Sequence, residues 1–309
     1  MDILIIKPSS LGDIIHGLQF AESLRSGIDN ARINWVSREM FAPLVQSCHT
    51  VDHTHVFHRK GSLGGFIRLI REIRQTHYDW VLDLQGLFRS GALCRFARAD
   101  NKAGRSDARE GAGWFYQTRV PLPSLGQAHA LEILMEFQRL FDLEPAEPPP
   151  LKFDDKLSDD NRGALGQAQG KRVLIFPESR REEKEWPHFE ELTRTLLGQV
   201  PELQLVRVAT SGAEPGKAEP GRLVNLSGCT AIEELPALID SADLIVANDS
   251  GPMHLAAAMH KPVVALFGPT DPKRFGPWGQ MENVLSAPDA DMSRLPATQV
   301  ADFILQKLG

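Results

Sequence analysis

The chain has 309 residues, 42% hydrophobic and 24% charged, the composition of an ordinary globular protein of about two domains. Its formal net charge of −6 argues against a protein that binds duplex nucleic acid, and no apolar run approaches the ~20 residues that span a bilayer. The three cysteines lie far apart without metal-ligand spacing, so we expect a reduced cytoplasmic protein with neither a disulfide scaffold nor a metal site.

The first half alternates apolar runs with segments of helical period, the pattern that builds a parallel sheet. The opening MDILII lacks a basic lead-in and a cleavage site, which favours a first strand over a signal peptide. In chain order we predict strands at 3–6, 33–36 and 80–84, and helices at 13–24, 66–75 and 129–140. The prolines of DLEPAEPPPLKF then end the pattern and mark a domain boundary near residue 150.

The second half repeats the alternation. We predict strands at 172–176, 203–208, 244–247 and 263–267, and helices at 187–197, 252–259 and 296–308. The expected fold is α/β, with two Rossmann-like domains, 1–150 and 151–295, whose parallel sheets face a central cleft where ligands bind. The last segment, 296–309, is expected to pack back on the N-terminal domain.

The loop KPSSLGD follows the first strand. It contains one glycine, so it matches neither the G-x-G-x-x-G fingerprint of dinucleotide-binding domains nor a Walker A sequence. It instead offers Lys7, two hydroxyls and Asp13 at the start of a helix. From spacing alone, an acidic residue in a first helical turn more often stabilises the helix dipole than acts as a catalytic base.

A charged loop, PESRREEKEWP, follows the first strand of the second half. The side chains of Arg180 and Lys184 suit a diphosphate, and Ser179 precedes them. The neighbouring glutamates allow the alternative of a solvated loop of weak ion pairs.

The segment NDSGPMH ends a later strand and begins a helix, whose free N–H groups and dipole favour an anion. Asp249 would repel phosphate and is better suited to accept hydrogen bonds from sugar hydroxyls. His254 lies on the first turn, either facing a ligand or packed in the core. The next strand ends in FGPTDP, which would shape the rest of the pocket around the base or sugar.

Basic residues are concentrated early in the chain. Between Val51 and Arg109 there are 11 lysines and arginines against 6 acidic residues. The segment FHRKGSLGGFIRLIREIR predicts an amphipathic helix with exposed arginines, which is either a solvated face or a contact with an acidic acceptor or membrane. The D-x-D spelling at Asp289–Asp291 has no strand before it and is not expected to bind metal.

Taken together, KPSSLGDIIH, DLQGLFRSG, REEKEWP and NDSGPMHLAAAMHKPVVALFGPTDP resemble the ADP-heptose:lipopolysaccharide heptosyltransferases, a GT-B glycosyltransferase family. The similarity runs in order over nearly the whole chain. It implies that Asp13 is the general base and that Lys184 binds the diphosphate. The donor-binding residues it implies are Ser179, Arg180, Lys184, Asp249, Ser250, Gly251 and His254. The acceptor-side candidates are Lys7, Ser10, Gly12, Gln85 and Arg109.

Two positions depart from the family pattern. Some members have two threonines where this chain has Ser179 and Arg180, and Glu214 is the candidate counterpart of the acidic residue near the adenosine ribose.

The resemblance implies an inverting transfer of heptose from ADP-heptose to the inner core of lipopolysaccharide, onto Kdo-lipid A or a preceding heptose, with no required cofactor or metal. It also implies a cytoplasmic monomer that touches the inner membrane through its basic N-terminal surface, and no nucleic-acid partner. The alternatives are another GT-B sugar transferase, a sugar-nucleotide epimerase, or a non-catalytic nucleotide-sugar or polysaccharide binding protein.

Overall fold

Two parallel sheets carry the fold, one in each of two units, Met1–Asp154 and Asp155–Gly309. The computed structural model describes residues 1–123, 128–210 and 222–309. The division falls just after the proline-rich segment, a few residues beyond the predicted boundary. Among the described residues, no helix combines the length and apolar character needed to cross a bilayer.

The sheet of the first unit has the order β3-β2-β1-β4-β5-β6, with all neighbours parallel. Its strands are β1 (Asp2–Ile6), β2 (Arg32–Arg38), β3 (His53–Phe57), β4 (His77–Asp83), β5 (Arg98–Arg105) and β6 (Thr118–Val120). Its α-helices are α1 (Leu11–Gly27), α2 (Ala42–Ser47), α3 (Leu63–Ile73), α4 (Phe88–Phe96) and α5 (Ala130–Met135). This is the doubly wound order, which reverses between β1 and β4.

The second unit has the equivalent order, β12-β11-β10-β7-β8-β9, again parallel throughout. Its strands are β7 (Arg172–Phe176), β8 (Gln204–Arg207), β9 (Leu223–Asn225), β10 (Leu244–Asn248), β11 (Val263–Phe267) and β12 (Val284–Ser286). Its α-helices are α6 (Asp159–Leu165), α7 (Phe189–Gln199), α8 (Leu235–Asp240), α9 (Gly251–Ala258), α10 (Pro272–Phe275) and α11 (Ala297–Leu308). The order reverses between β7 and β10.

The central strands are buried along their length. Ile3 to Ile6 in β1 and all of β10 and β11 have almost no exposed surface, because helices cover both faces of a doubly wound sheet. Such strands appear in the sequence as continuous apolar runs, and polar residues follow at their carboxyl ends and in the loops beyond. Those loops lie at the carboxyl edge of each sheet, where both candidate sites are found.

Two predicted helices differ in detail. The helix expected from Pro187 begins at Phe189, and the helix expected over 129–140 is α5 followed by a 3₁₀ segment, Glu136–Phe141. Each shift is small and leaves the order of elements unchanged.

The C-terminal helix α11 belongs to the second unit. Its buried residues, Val300, Ala301 and Ile304 among them, join the core formed by α7 and the sheet of that unit. The indole of Trp186 donates to the backbone oxygen of Leu295 just before it (2.8 Å). Within the second unit, α11 covers the apolar face of α7, and its packing on the N-terminal domain stays a prediction.

Candidate functional site

The first candidate site lies where β1 ends, at the reversal point of its sheet. Lys7 is buried, and its backbone oxygen accepts a hydrogen bond from the indole of Trp35 (3.2 Å). Its ammonium nitrogen lies 3.3 Å from Oδ1 of Asp13. Oδ2 of Asp13 accepts hydrogen bonds from the amide (3.1 Å) and hydroxyl (2.7 Å) of Ser10. The structure therefore brings Lys7, Ser10 and Asp13 together, and Gly12 lies beside them in the first turn of α1.

The carboxylate of Asp13 is held in its charged form. Burial of part of the group raises its pKa, but the ammonium of Lys7 and the hydrogen bonds from Ser10 outweigh this and lower the pKa to about 2. Burial lowers the pKa of Lys7, and the charge of Asp13 opposes that shift. The Asp13 side chain is nevertheless 48% exposed. It stabilises the start of α1 and also presents an ionised oxygen to the surroundings.

A second carboxyl, Asp83, ends the adjacent strand β4 and is fully buried. It accepts hydrogen bonds from the amides of Gln85 (2.9 Å) and Gly86 (3.1 Å) and from the hydroxyl of Tyr116 (2.6 Å). Burial raises the pKa of Asp83, and these hydrogen bonds oppose the shift. Asp83 therefore fixes the loop that carries the predicted acceptor residue Gln85.

The backbone of Arg109 contacts the loop that carries Gln85. Its amide donates to the oxygen of Gly86 (2.8 Å), which holds the loop after β5 against the loop after β4, while its side chain is exposed. In the same loop, Arg105 makes a two-pronged ion pair with Asp107 (2.8 Å for each bond) that raises the pKa of the arginine. The acceptor-side candidates thus lie on three neighbouring strand ends.

The second candidate site lies where β7 and β10 end. Lys184 is 15% exposed, and its ammonium nitrogen lies 2.7 Å from Oδ2 of Asp249. The hydroxyl of Thr270 donates to the same oxygen (2.6 Å), and the hydroxyl of Ser179 donates to the backbone oxygen of Asp249 (3.1 Å). Among the described residues, no hydrogen bond goes to Oδ1 of Asp249. That oxygen is the one left for a ligand.

The helix α9 begins immediately after this pair. Ser250 is its N-cap residue, Gly251 is its first residue, and Pro252 lies in its first turn. The hydroxyl oxygen of Ser250 makes no hydrogen bond to any described residue. His254 is buried on the first turn, and Arg180 is exposed in the loop after β7. The predicted residue Glu214 lies outside the described residues.

Several residues of these sites were not predicted. Asp83 and Tyr116 are far apart in the chain, and Thr270 lies in FGPTDP, which was predicted only to shape the pocket. Asn248 was also missed: its side chain bridges the amide of Trp186 (3.2 Å) and the oxygen of Pro177 (2.7 Å), which joins the loop after β7 to β10. A polar residue at the carboxyl end of a buried strand is the signal that could have found Asp83 and Asn248.

The D-x-D spelling at Asp289–Asp291 does not coincide with the potential metal ligands of the described residues. Asp289 pairs with Arg294, and Asp291 accepts hydrogen bonds from the amide (3.0 Å) and hydroxyl (2.7 Å) of Ser293, so both carboxylates have local partners. Within the described residues, the one group with metal-ligand geometry is His53, His55 and Glu72, at the edge strand β3 of the first sheet and the neighbouring helix α3.

Comparison with known proteins identifies the family. The sequence model of glycosyltransferase family 9 (heptosyltransferase) matches residues 66–302. The chain belongs to glycosyltransferase family 9. It is therefore a glycosyltransferase, and the resemblance noted in its motifs is confirmed.

Relatives in the family match over nearly the whole chain. Lipopolysaccharide heptosyltransferase 1 of Pseudomonas aeruginosa is 30% identical, over 91% of this chain and 82% of that protein. The protein of the same name from Escherichia coli O18:K1:H7 is 28% identical, over 98% of this chain and 97% of its own length. The solved structure of E. coli heptosyltransferase WaaC with ADP is 26% identical, covers 99% of this chain and 100% of that one, and has a TM-score of 0.80. The predicted GT-B fold is confirmed.

Proposed function

We propose that this family 9 enzyme transfers heptose from ADP-heptose to the inner core of lipopolysaccharide, onto Kdo-lipid A or a preceding heptose. The observation that carries the proposal is the Asp13 carboxylate, ionised and half exposed at the reversal point of the first sheet. The names of the relatives, lipopolysaccharide heptosyltransferase 1, support the choice of sugar and acceptor class.

The reaction is a single displacement with inversion. Asp13 takes the proton of an acceptor hydroxyl while that oxygen attacks the anomeric carbon of the heptose, and the bond from that carbon to the diphosphate breaks. Because its pKa is about 2, Asp13 is ionised at neutral pH. It accepts the proton late in the step, when bond formation has made the hydroxyl acidic.

ADP leaves as an acidic diphosphate, so it needs charge neutralisation more than a proton donor. Lys184 has N–H donors beyond the one it directs at Asp249, and the hydroxyl of Ser250 lies at the N-terminus of α9. These groups form an anion site with protein atoms alone. We accordingly propose that transfer requires no metal and continues in the presence of a chelator.

Asp249 would bind the sugar. Lys184 and Thr270 both donate to one of its oxygens, and Lys184 offsets its charge, which leaves the other oxygen to accept hydrogen bonds from hydroxyls of the donor sugar. On the acceptor side, Arg109 is exposed beside the fixed loop of Gln85 and is suited to an anionic sugar acid.

We also propose that the enzyme is a cytoplasmic monomer that meets its lipid-linked acceptor at the inner membrane. Large apolar side chains are exposed on the first unit near the acceptor loops: Trp114 (85%), Leu63 (75%) and Phe88 (53%). Arg89, the residue after Phe88, donates to the backbone oxygen of Arg59 (3.2 Å), so two cationic residues lie beside each other on this unit. We name Arg59, Lys60, Leu63, Phe88, Arg89 and Trp114 the membrane patch.

Product analysis tests the reaction. The purified enzyme is incubated with either ADP-heptose or a UDP-sugar as donor. Each donor is combined with two truncated acceptors, one ending in Kdo and one in heptose, and the masses of the products are measured by mass spectrometry. We expect one added heptose on one acceptor, from ADP-heptose alone. An epimerised nucleotide sugar, transfer of a hexose in place of heptose, or binding without turnover would each refute the proposal.

Asp13→Asn tests the base. It should lower kcat by about 100-fold to 10,000-fold and leave ADP-heptose affinity nearly unchanged, because positioned bases contribute in that range. Ser10→Ala is the matched control, since it removes a hydrogen bond to the same carboxylate but keeps the base. Full activity in Asp13→Asn would show that Asp13 is not the base and that it only stabilises the start of α1.

A further inference from the structure

Three potential metal ligands lie outside both strand-end sites, where the edge strand β3 meets α3. His53 and His55 are two residues apart on β3, so both side chains leave the same face, and their rings meet edge to face with centroids 4.5 Å apart. Glu72 reaches them from α3, with Oε1 2.5 Å from Nδ1 of His55. One donor atom of each residue lies within 4.8 Å of the other two.

We propose that His53, His55 and Glu72 bind a divalent transition metal, and that Zn²⁺ fits best. Two imidazoles and a carboxylate are ligands that zinc uses, whereas Mg²⁺ and Ca²⁺ prefer oxygen ligands alone. His53 and Glu72 are at least partly exposed, so the metal can enter from solvent and water can complete its coordination.

The distances suit this assignment after small movements. Zinc binds nitrogen at about 2.0–2.1 Å and carboxylate oxygen at about 2.0–2.2 Å, so tetrahedral ligands lie about 3.3 Å apart. Nδ1 of His55 and Oε1 of Glu72 are 2.5 Å apart, closer than that value, and the three donor atoms all lie within 4.8 Å of one another. The exposed side chains of His53 and Glu72 can rotate to equalise them, while His55 is buried and held in place.

The orientation of His55 is set by a second contact. Its Nε2 lies 3.2 Å from the hydroxyl of Tyr78, a buried residue of β4, so Nδ1 faces Glu72. A metal-ligating histidine typically uses its other ring nitrogen in this way, which fixes both its tautomer and its orientation. Metal on Nδ1 would take the place of the proton now shared with Glu72. The ion would tie the edge strand to α3, a helix that buries only Leu69 and Ile73.

Metal titration of the full-length protein tests the site. The protein is treated with a chelator and desalted, Zn²⁺ is then titrated in competition with a chromophoric chelator, and Co²⁺ serves as a spectroscopic probe. We expect one equivalent of Zn²⁺, a visible absorption band for Co²⁺ typical of tetrahedral nitrogen and oxygen ligation, and a higher Tm with Zn²⁺.

Variants locate the ion. His53→Ala and Glu72→Gln should each weaken Zn²⁺ binding at least tenfold and abolish the Co²⁺ band, with little change of Tm in chelator because both side chains are largely exposed. His77→Ala is the matched control: His77 is an exposed histidine 3.3 Å from the carboxylate of Asp100, and among the described residues no third ligand joins that pair. Binding of less than one equivalent, or binding unchanged in both variants, would overturn the proposal.

Discussion

The Lys7–Asp13 pair shows how one residue serves two purposes. Ser10 and Lys7 both contact the carboxylate of Asp13, and these contacts keep it ionised and fix its orientation. They also lower its pKa. A base of low pKa has little driving force for removing a proton from a free alcohol. This favours a transition state in which the bond to the leaving diphosphate is largely broken before the proton moves.

Lys7→Met tests whether the charge of Lys7 sets the pKa of Asp13. Without the ammonium, the effect of burial is opposed mainly by the hydrogen bonds from Ser10, with a smaller contribution from His16, so the pKa of Asp13 should rise from about 2 toward its ordinary value of 3.8 or beyond. Since Asp13 acts only when ionised, the acid limb of kcat/KM should move to higher pH. The pH profile of kcat/KM measures this, with the exposed Lys60→Met as control. An unmoved acid limb would show that Lys7 does not set the charge of the base.

Variants of the second pair, Lys184 and Asp249, can distinguish its contribution to the stability of the protein from its contribution to ADP binding. Removing one partner of a buried pair costs roughly 3–5 kcal/mol, and less where one partner is partly exposed, as Lys184 is. Lys184→Met should therefore lower both Tm and ADP affinity. Adding Asp249→Asn should restore much of the Tm but not the affinity, because the cation is still missing.

Calorimetric ADP titration and thermal unfolding of the single and double variants check this. Lys261→Met, which breaks the surface pair with Asp240 (2.9 Å), is the control and should change neither quantity appreciably. Recovery of ADP affinity in the double variant would show that Lys184 only neutralises Asp249.

The sequence motifs predicted Asp13, Lys184 and Asp249, which lie in the segments that follow strands. They could not find partners that depend on packing. Tyr116 reaches Asp83 across β5, a contact between residues 33 apart with no shared motif. The spacing of residues in the sequence also could not show that the ammonium of Lys184 contacts the carboxylate of Asp249. A lysine in that loop suits a diphosphate and a carboxylate equally well.

At the scale of elements, Gly104 of β5 makes room for the Asp83–Tyr116 contact. Gly104 pairs with Asp83 in the sheet, and a Cβ at position 104 would fall within the ring of Tyr116. The absence of a side chain therefore lets the tyrosine cross the strand and anchor the loop after β4.

Gly104→Ala should consequently destabilise the first unit by about 1–3 kcal/mol, the usual effect of overpacking, and lower transfer activity by displacing the Gln85 loop. Gly163→Ala in α6 is the matched control, because a Cβ there meets nothing within 4 Å and alanine favours helix by about 0.5–1 kcal/mol. Urea unfolding measures both. A neutral Gly104→Ala would mean that the ring has space to move.

The strands missed by sequence analysis share a physical cause. β5 has the sequence RADNKAGR, most of it at least partly exposed, and β3 is an edge strand rich in histidine. The others, β6, β9 and β12, have three residues each. Short or half-exposed strands lack the continuous apolar run by which β1, β10 and β11 were predicted, and pairing with a neighbour defines them instead.

At the scale of the whole molecule, charge is unevenly spread. The formal charge of −6 arises in residues 151–309, whereas the segment from Val51 to Arg109 is basic. A chain that is acidic in total would be repelled by an anionic bilayer unless it presented a cationic surface. The membrane patch combines such charges with exposed apolar side chains, as interfacial binding requires.

The patch predicts binding to anionic vesicles that weakens with salt, because each lysine or arginine near such a surface contributes about 1 kcal/mol and the attraction is screened within a Debye length. Vesicle cosedimentation should show retention on anionic but not zwitterionic vesicles, with a blue shift of tryptophan fluorescence. Trp114→Ala should remove that shift, and Arg59→Ser with Lys60→Ser should lower retention severalfold. Met281→Ser, an exposed apolar residue of the second unit, is the control. Equal binding to both vesicle types, or retention unaffected by the patch variants, would contradict a membrane contact at this surface.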